Sequence, residues 1–322
     1  MIKFITSLLF LLLISIIGHS QSISEIKNSG NYYWGEGIAN DLENADKKAL
    51  ADLIGQISVN IESQFKNVKT EENGNFKEYT QSVTNTYSGA TLDRAERKVT
   101  EGKKLVMVLR FITKEKMTEI FSERKNKIFE YIKSAQIAEE SLRIGDALKY
   151  YYWALALVRS HPDCNEIKYN LDGKGESLLL SALPDKLNSI LSQIQVSISD
   201  IIEKKDEKNV ILSIKYLNNP VQNYDFTYWT GDTWTSLNTA KNGVGVADFF
   251  GETAKSFTDL RLRSEYFYKN NSKIDQEVYN VLENTNTPSL KLAEIKIPLK
   301  KDVQTKAEQK QNKQSLEKYF KR

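Results

Sequence analysis

The hydrophobic period of this chain changes near residue 195, and that change limits the folds open to it. Between residues 120 and 160 apolar side chains recur at helical spacing. In "DALKYYYWALALVRS", Ala147, Tyr151, Ala154 and Leu155 share one face. Beyond 195 the period is two. "NVILSIKYL" alternates, and "VQNYDFTYW" and "DLRLRSEYFY" follow it as further strands. "NNP" (218–220), "TGDT" and "KNG" (241–243) supply turns between them. Helices gathered first and short strands afterwards predict an α+β chain whose last part is a β-sandwich.

The N-terminal part mixes both periods. "YYWGEGIA" reads as a strand entering a helix, with Asn40 as N-cap and Glu43 completing a capping box. Leu50, Leu53, Ile54 and Ile57 form the helix stripe. Val59, Ile61 and Phe65 then share one parity, so the chain is expected to leave the helix as a strand. "EENGN" (71–75) is a turn, and 74–89 fits a helix by spacing and a strand by composition. "RAERKVT" and "KKLVMVLRFI" flank Glu101-Gly102 as a hairpin. The second run is apolar on both parities, which marks a strand covered on both faces.

These readings place an α+β domain at 22–120, a helical hairpin and connecting helix at 121–195, a sandwich at 196–298 and a charged tail at 299–322. The tail lacks an apolar stripe and is expected to be disordered. The two helical stretches, parted at Gly145, resemble the helix pair of a tetratricopeptide repeat. A solenoid needs several stacked copies. The single pair is therefore read as a structural hairpin, with a further helix over 178–194 broken at Pro184.

Residues 1–20 have the layout of a secretory signal peptide: Lys3, then the apolar "FITSLLFLLLISIIG" (4–18), then small residues at Gly18 and Ser20. Cleavage is expected between Ser20 and Gln21. The apolar run is shorter than the roughly 20 residues that cross a bilayer core, which favours a cleaved signal over an anchor. No second segment is long and apolar enough to span, so no membrane span is expected after its removal. Cys164 is the sole cysteine, so no intrachain disulfide can form, and the cleavage position offers no thiol for a lipid. His19 belongs to the signal segment, which leaves His161. A His/Cys zinc site cannot be assembled from one of each, and no cofactor is expected. His161-Pro162-Asp163-Cys164 reads as a loop after a helix, since residues so placed have no built-in geometry for proton transfer. With 45 basic against 42 acidic residues, the chain lacks the concentrated charge of a nucleic-acid binder.

Gly35 and Gly37 raise the question of a dinucleotide fingerprint, but its third glycine is replaced by Asn40. The glycines are assigned instead to close approach of a packed helix. "YYWGEGIANDLENADKKALADLIGQISVNI" resembles the opening of the Lpp twenty-kilodalton lipoprotein family, with its glycine pair, alanine-rich helix and "I-x-V". Multidomain forms exported by Bacteroidota are the nearest in pattern, through "RIGDALKYYYWALALVRSHP". The resemblance implies an immunoglobulin-like C-terminal sandwich, an envelope location and no agreed enzymatic activity. The chain departs from the family in lacking the lipidated cysteine.

The function expected is a non-catalytic exported envelope protein, periplasmic or associated with the outer membrane or cell surface. Its role would be that of a scaffold or protein binder, with envelope proteins as partners. The alternative is a glycan-binding or carbohydrate-acting envelope protein. A glycosidase needs two carboxyls flanking a cleft, and nothing in the sequence selects a pair. Asp41, Glu43 and Asp46 suit a helix N-terminus, and Glu71-Glu72 a turn. The candidate binding residues are Trp229 and Trp234 in "FTYWTGDTWTS" (226–236). A turn at Gly231-Asp232 would pair the two indoles on the outer face of the sheet, with Tyr224, Phe226 and Tyr228 facing the core.

Overall fold

The computed structural model describes residues 22–65, 94–173, 175–252, 254, 259–284 and 289–299. The signal segment with Ser20 and Gln21, the ambiguous stretch 74–89, Glu71-Glu72 and the tail beyond 299 lie outside the described residues. The chain has both helices and antiparallel sheets, and it divides into two compact units. Among the described residues the first holds 22–60 with 94–119. The helices between 121 and 195 group with the C-terminal strands in the second.

The first unit opens with α1 (Ile23–Asn28), closed at its start by a Ser22–Glu25 capping box. Then come β1 (Tyr32–Ala39), α2 (Leu42–Phe65), β2 (Glu96–Glu101) and β3 (Val106–Thr113), in the sheet order β1-β3-β2. β3 is covered on both faces, as its pattern predicts. Leu109 and Phe111 lie under Ile26 of α1, while Val108 lies under Ala45 and Ala49 of α2.

Two expectations are corrected here. The N-cap of α2 is Asp41, whose Oδ1 accepts the Asn44 N–H at 2.8 Å, not Asn40. The helix also continues to Phe65, so no strand forms at Val59–Phe65.

α2 does more than cover the sheet. Gln56 Oε1 accepts the Trp34 N–H at 3.3 Å and Asp52 Oδ2 the Glu36 N–H at 2.9 Å, while Lys48 Nζ donates to Ile38 O at 3.0 Å. Residues four apart on the helix meet residues two apart on the strand, because one helical turn and one strand repeat are of similar length. A row of helix side chains thereby satisfies the outer edge of β1, which would otherwise present unpaired backbone groups.

The second unit contains most of α3 (Lys114–Glu140), then α4 (Ile144–Arg159) and α5 (Leu179–Ser192). The break between α3 and α4 falls at Leu142 (φ 57°), not Gly145. Arg143 N bonds Ala138 O at 2.8 Å, a left-handed helix end built on leucine. Gly145 sits inside α4 for another reason: a Cβ there would stand 2.9 Å from Tyr268 Oη and 3.4 Å from Asp225 N. Nor does Pro184 break α5. The buried row Leu179, Leu183, Leu187, Ile190 and Leu191 runs through it, so packing outweighs the lost N–H.

The sheet of this unit has the order β13-β12-β9-β10-β11-β7-β6. Its strands are β6 (Ile194–Lys204), β7 (Glu207–Tyr216), β9 (Asn223–Tyr228), β10 (Asn238–Lys241), β11 (Val244–Phe250), β12 (Asp259–Ser264) and β13 (Glu294–Pro298). Two-residue pieces, β4 (Lys168–Tyr169) with β5 (Ser177–Leu178) and β8 (Asn219–Pro220) on β7, complete the numbering. Lys241 pairs with Val244 across an Asn242-Gly243 turn whose positive φ angles suit a tight hairpin. The sheet curls there, and β9 faces β11: Tyr228 Oη donates to Asp248 O and accepts from Asp248 N, both at 2.9 Å. The helix α6 (Gln276–Asn284) precedes β13.

Candidate functional site

β9 alternates strictly. Tyr224, Phe226 and Tyr228 are buried, and Asp225 and Thr227 take the other parity, which continues to Trp229. Beyond it Thr230 N bonds Thr233 O at 2.8 Å around Gly231 (φ 113°). This closes the expected turn and bridges Trp229 to Trp234. The indoles meet edge to face, 5.7 Å apart at 65°.

The register of β12 on β9 then sets two arginines beside them. Arg263 pairs with Thr227, and the carbonyl of Arg261 accepts the Trp229 N–H at 3.0 Å. Residues two apart on a strand share a face, so both guanidiniums reach the indoles. That of Arg263 lies 4.1 Å from the Trp234 ring centre, and that of Arg261 lies 5.7 and 5.8 Å from Trp234 and Trp229.

Glu294, at the start of β13, closes the group. Arg261 Nη2 donates to its Oε1 at 2.7 Å and Arg263 Nη2 approaches its Oε2 at 3.4 Å. The hydrogen bond from Arg261, followed by that from Arg263, holds its carboxyl below the usual glutamate range. Lys296, opposite Arg261, pairs with Asp259 at 3.3 Å. The face thus carries the cations Arg261, Arg263 and Lys296 against the anions Glu294 and Asp259. Side chains of Arg261, Arg263 and Glu294 are 42%, 48% and 40% exposed, so solvent reaches the charged groups. Each such cation–π contact at an exposed site contributes about 0.5–1 kcal/mol, which also braces the hairpin tip against β12.

The sequence singled out the two tryptophans and their pairing, and the structure brings them together. It missed Arg261, Arg263 and Glu294. The alternation of the two arginines in "DLRLRS" was legible, but the register that aims them at the indoles and at Glu294 was not.

Other candidates have interior roles. His161 is buried after α4; its Nδ1 accepts the Asp163 N–H at 3.0 Å, which leaves Nε2–H for Phe121 O, also at 3.0 Å. Cys164 is buried in the same loop. Asp41 caps α2, Glu43 pairs with Lys47, and Asp46 takes Arg110 in a two-pronged pair with both bonds at 2.7 Å. In the second unit the wholly buried Arg124 donates to Glu277 Oε1 at 2.6 Å and to Ser160 O at 3.0 Å. Lys127 joins Glu277 to Asp275, which also receives Tyr131 Oη. This network ties α3 to the start of α6. Among the described residues no group of three or more His, Cys, Asp or Glu could hold a metal ion, and no helix is long and apolar enough to cross a membrane.

No family model and no curated protein matches the chain. A solved structure, the secreted protein HP1454 from Helicobacter pylori, is similar at 21% identity. The match covers 40% of this chain and 51% of that one, with a TM-score of 0.26, too low to carry any argument about this chain.

Proposed function

We propose that this chain is a non-catalytic binding protein of the cell envelope, with a scaffold role. It would be exported behind the segment ending at Ser20-Gln21 and held to its partners through the Trp229–Trp234 face. The observation that supports this reading is that face itself: paired indoles and two guanidiniums, the residue types that dominate binding hot spots, gathered on an outer sheet face. The half-buried carboxylates Asp275 and Glu277 support it too, because each is engaged by a cation of the fold itself. Kinship with the Lpp twenty-kilodalton lipoprotein family, without its lipid, and an immunoglobulin-like character for the curled sheet belong to the same proposal.

A glycan ligand is the second reading, favoured by the exposed hydroxyl of Thr233 beside the indoles. The test replaces Trp229 and Trp234 with Ala and follows retention of the protein in its own envelope fraction, with a thermal melt as control. Loss of retention with folding intact is expected, the melt lowered only by the roughly 1.5–3 kcal/mol of the three lost cation–π contacts. A collapse of stability would assign the pair to the framework instead.

A further inference from the structure

Glu294 occupies a position that a ligand could take. Its two carboxylate oxygens each meet a different guanidinium, Arg261 at 2.7 Å and Arg263 at 3.4 Å, and both guanidiniums lie against the indoles of Trp229 and Trp234. Paired guanidiniums beside flat apolar rings are the complement of a sugar acid, which presents a C–H face to an indole and a carboxylate to the cations, as Glu294 does now. Resting on the reading of this face as a ligand surface, we propose that it binds an acidic saccharide, and that Glu294 is the internal carboxylate which the ligand's own carboxylate displaces from Arg261 and Arg263.

Two further observations select a saccharide over an acidic peptide. β12, which carries both arginines, lies between β9 and β13, so an added strand could reach the sheet only at β13, one strand away from them. The turn beside the indoles carries the exposed hydroxyl of Thr233, a group that matches a polyol better than an apolar side chain would.

The sign of one substitution separates this from simple bracing. Glu294→Gln keeps the shape of the side chain and removes its charge, so the ligand no longer competes with it. Its affinity for the sugar acid should rise about fivefold, the scale of a partly exposed ion pair. Arg263→Gln should weaken binding by at least about fivefold. Lys47→Gln removes the same charge from an exposed side chain of α2, outside this face, and should change affinity less than twofold. The assay is calorimetric titration of the full chain with tetragalacturonate, its methyl ester and a hexaglutamate peptide, with thermal melts on every variant.

Binding of the acid, none of the ester, and tightening in Glu294→Gln are the expected results. Equal binding of ester and acid, equal effects of Arg263→Gln and Lys47→Gln, preference for hexaglutamate, or no binding of the acid would each overturn the proposal. If Arg263→Gln does not fold, Glu294→Gln alone decides by the sign of its effect. Envelope retention of the tryptophan variant is read separately, so failure of the saccharide leaves the binding reading on its own test.

Discussion

Gly37→Ala adds one methyl to β1, and the structure gives that methyl nowhere to go. A Cβ at 37 would stand 2.0 Å from Ala45 O and 2.4 Å from Ala49 N; at 35 it would stand 2.1 Å from Leu53 N and 2.2 Å from Ala49 O. The obstacles are helix backbone, which no rotamer change removes. Reaching ordinary contact at 3.4 Å from 2.0 Å requires α2 to withdraw by about 1.4 Å. A shift of that size stretches the three bonds sealing the edge of β1, each of about 1 kcal/mol, and adds overpacking strain of about 1–3 kcal/mol. The expected loss is therefore about 4–6 kcal/mol, a large share of the stability of a small unit. Gly55→Ala supplies the opposite sign, since a Cβ there meets nothing within 4 Å and the site is inside α2. It should stabilise by about 0.5–1 kcal/mol. Because the chain has two compact units, hydrogen exchange of β1 and β3 amides across a urea series is the proper readout. If Gly37→Ala leaves their protection within about 1 kcal/mol of the parent, the helix does not rest on this glycine and the packing argument fails.

The remaining predictions concern the second unit. Leu217 holds φ 49° at an exposed hairpin tip; Leu217→Gly should raise stability by about 1 kcal/mol, read as a higher urea midpoint at constant m. Burial, more than the charges of Arg124 and Lys125, holds the His161 pKa below its ordinary 6.5, against the raising effects of the Phe121 carbonyl and Asp163. The unfolded chain therefore binds the extra proton first, so stability is full above pH 6.5 and falls as the pH drops from there through the lowered folded value. His161→Gln should flatten that slope in pH-dependent melts, and an unchanged slope would show that His161 is not its source. Asp275 and Glu277 also titrate below their ordinary values of 3.8 and 4.5, so their contribution is lost only at lower pH. Arg124→Met should cost about 3 kcal/mol or more, because it strips a buried partner from Glu277 and the Ser160 carbonyl. Adding Glu277→Gln should cost much less in that background than in the parent, and simple additivity in the double-mutant cycle would refute the coupling.

What could be read from the sequence was local. Alternation in "NYDFTYW" gave the inward trio and the outward tryptophan, since a strand has only two faces. The double-sided burial of β3 was equally plain in "LVMVLRFI". The errors arose where tertiary packing overrode a local signal. Pro184 and Gly145 are helix breakers by propensity, yet one is carried by a buried leucine row and the other is needed where α4 approaches β9. The parity of Val59, Ile61 and Phe65 suggested a strand, whereas α2 runs on to Phe65. Asp46 illustrates the last kind of gap. Its position suited a helix N-terminus, but its partner Arg110 is distant in sequence and only the β1–β3 pairing brings them together.

The helix pair that resembles a tetratricopeptide repeat leaves α4 no groove of the kind a repeat array forms. In a repeat array one face of each pair is buried by its neighbours and another is left to line a groove. Here α4 is buried nearly all round: from Ile144 to Val158 only Asp146, Lys149 and Tyr150 keep partial exposure. α5, α6 and β9 pack against it, taking the place of neighbouring repeats. The three half-exposed residues are themselves engaged. Lys149 pairs with Asp146 at 2.8 Å and lies 4.5 Å from the Tyr150 ring, while Asn223 of β9 donates to Asp146 at 3.0 Å. A helix closed in this way has no face left for a peptide. The outward side chains of β9, β12 and β13 are under no such cover at Arg261, Arg263 and Glu294, and it is there that the indoles stand.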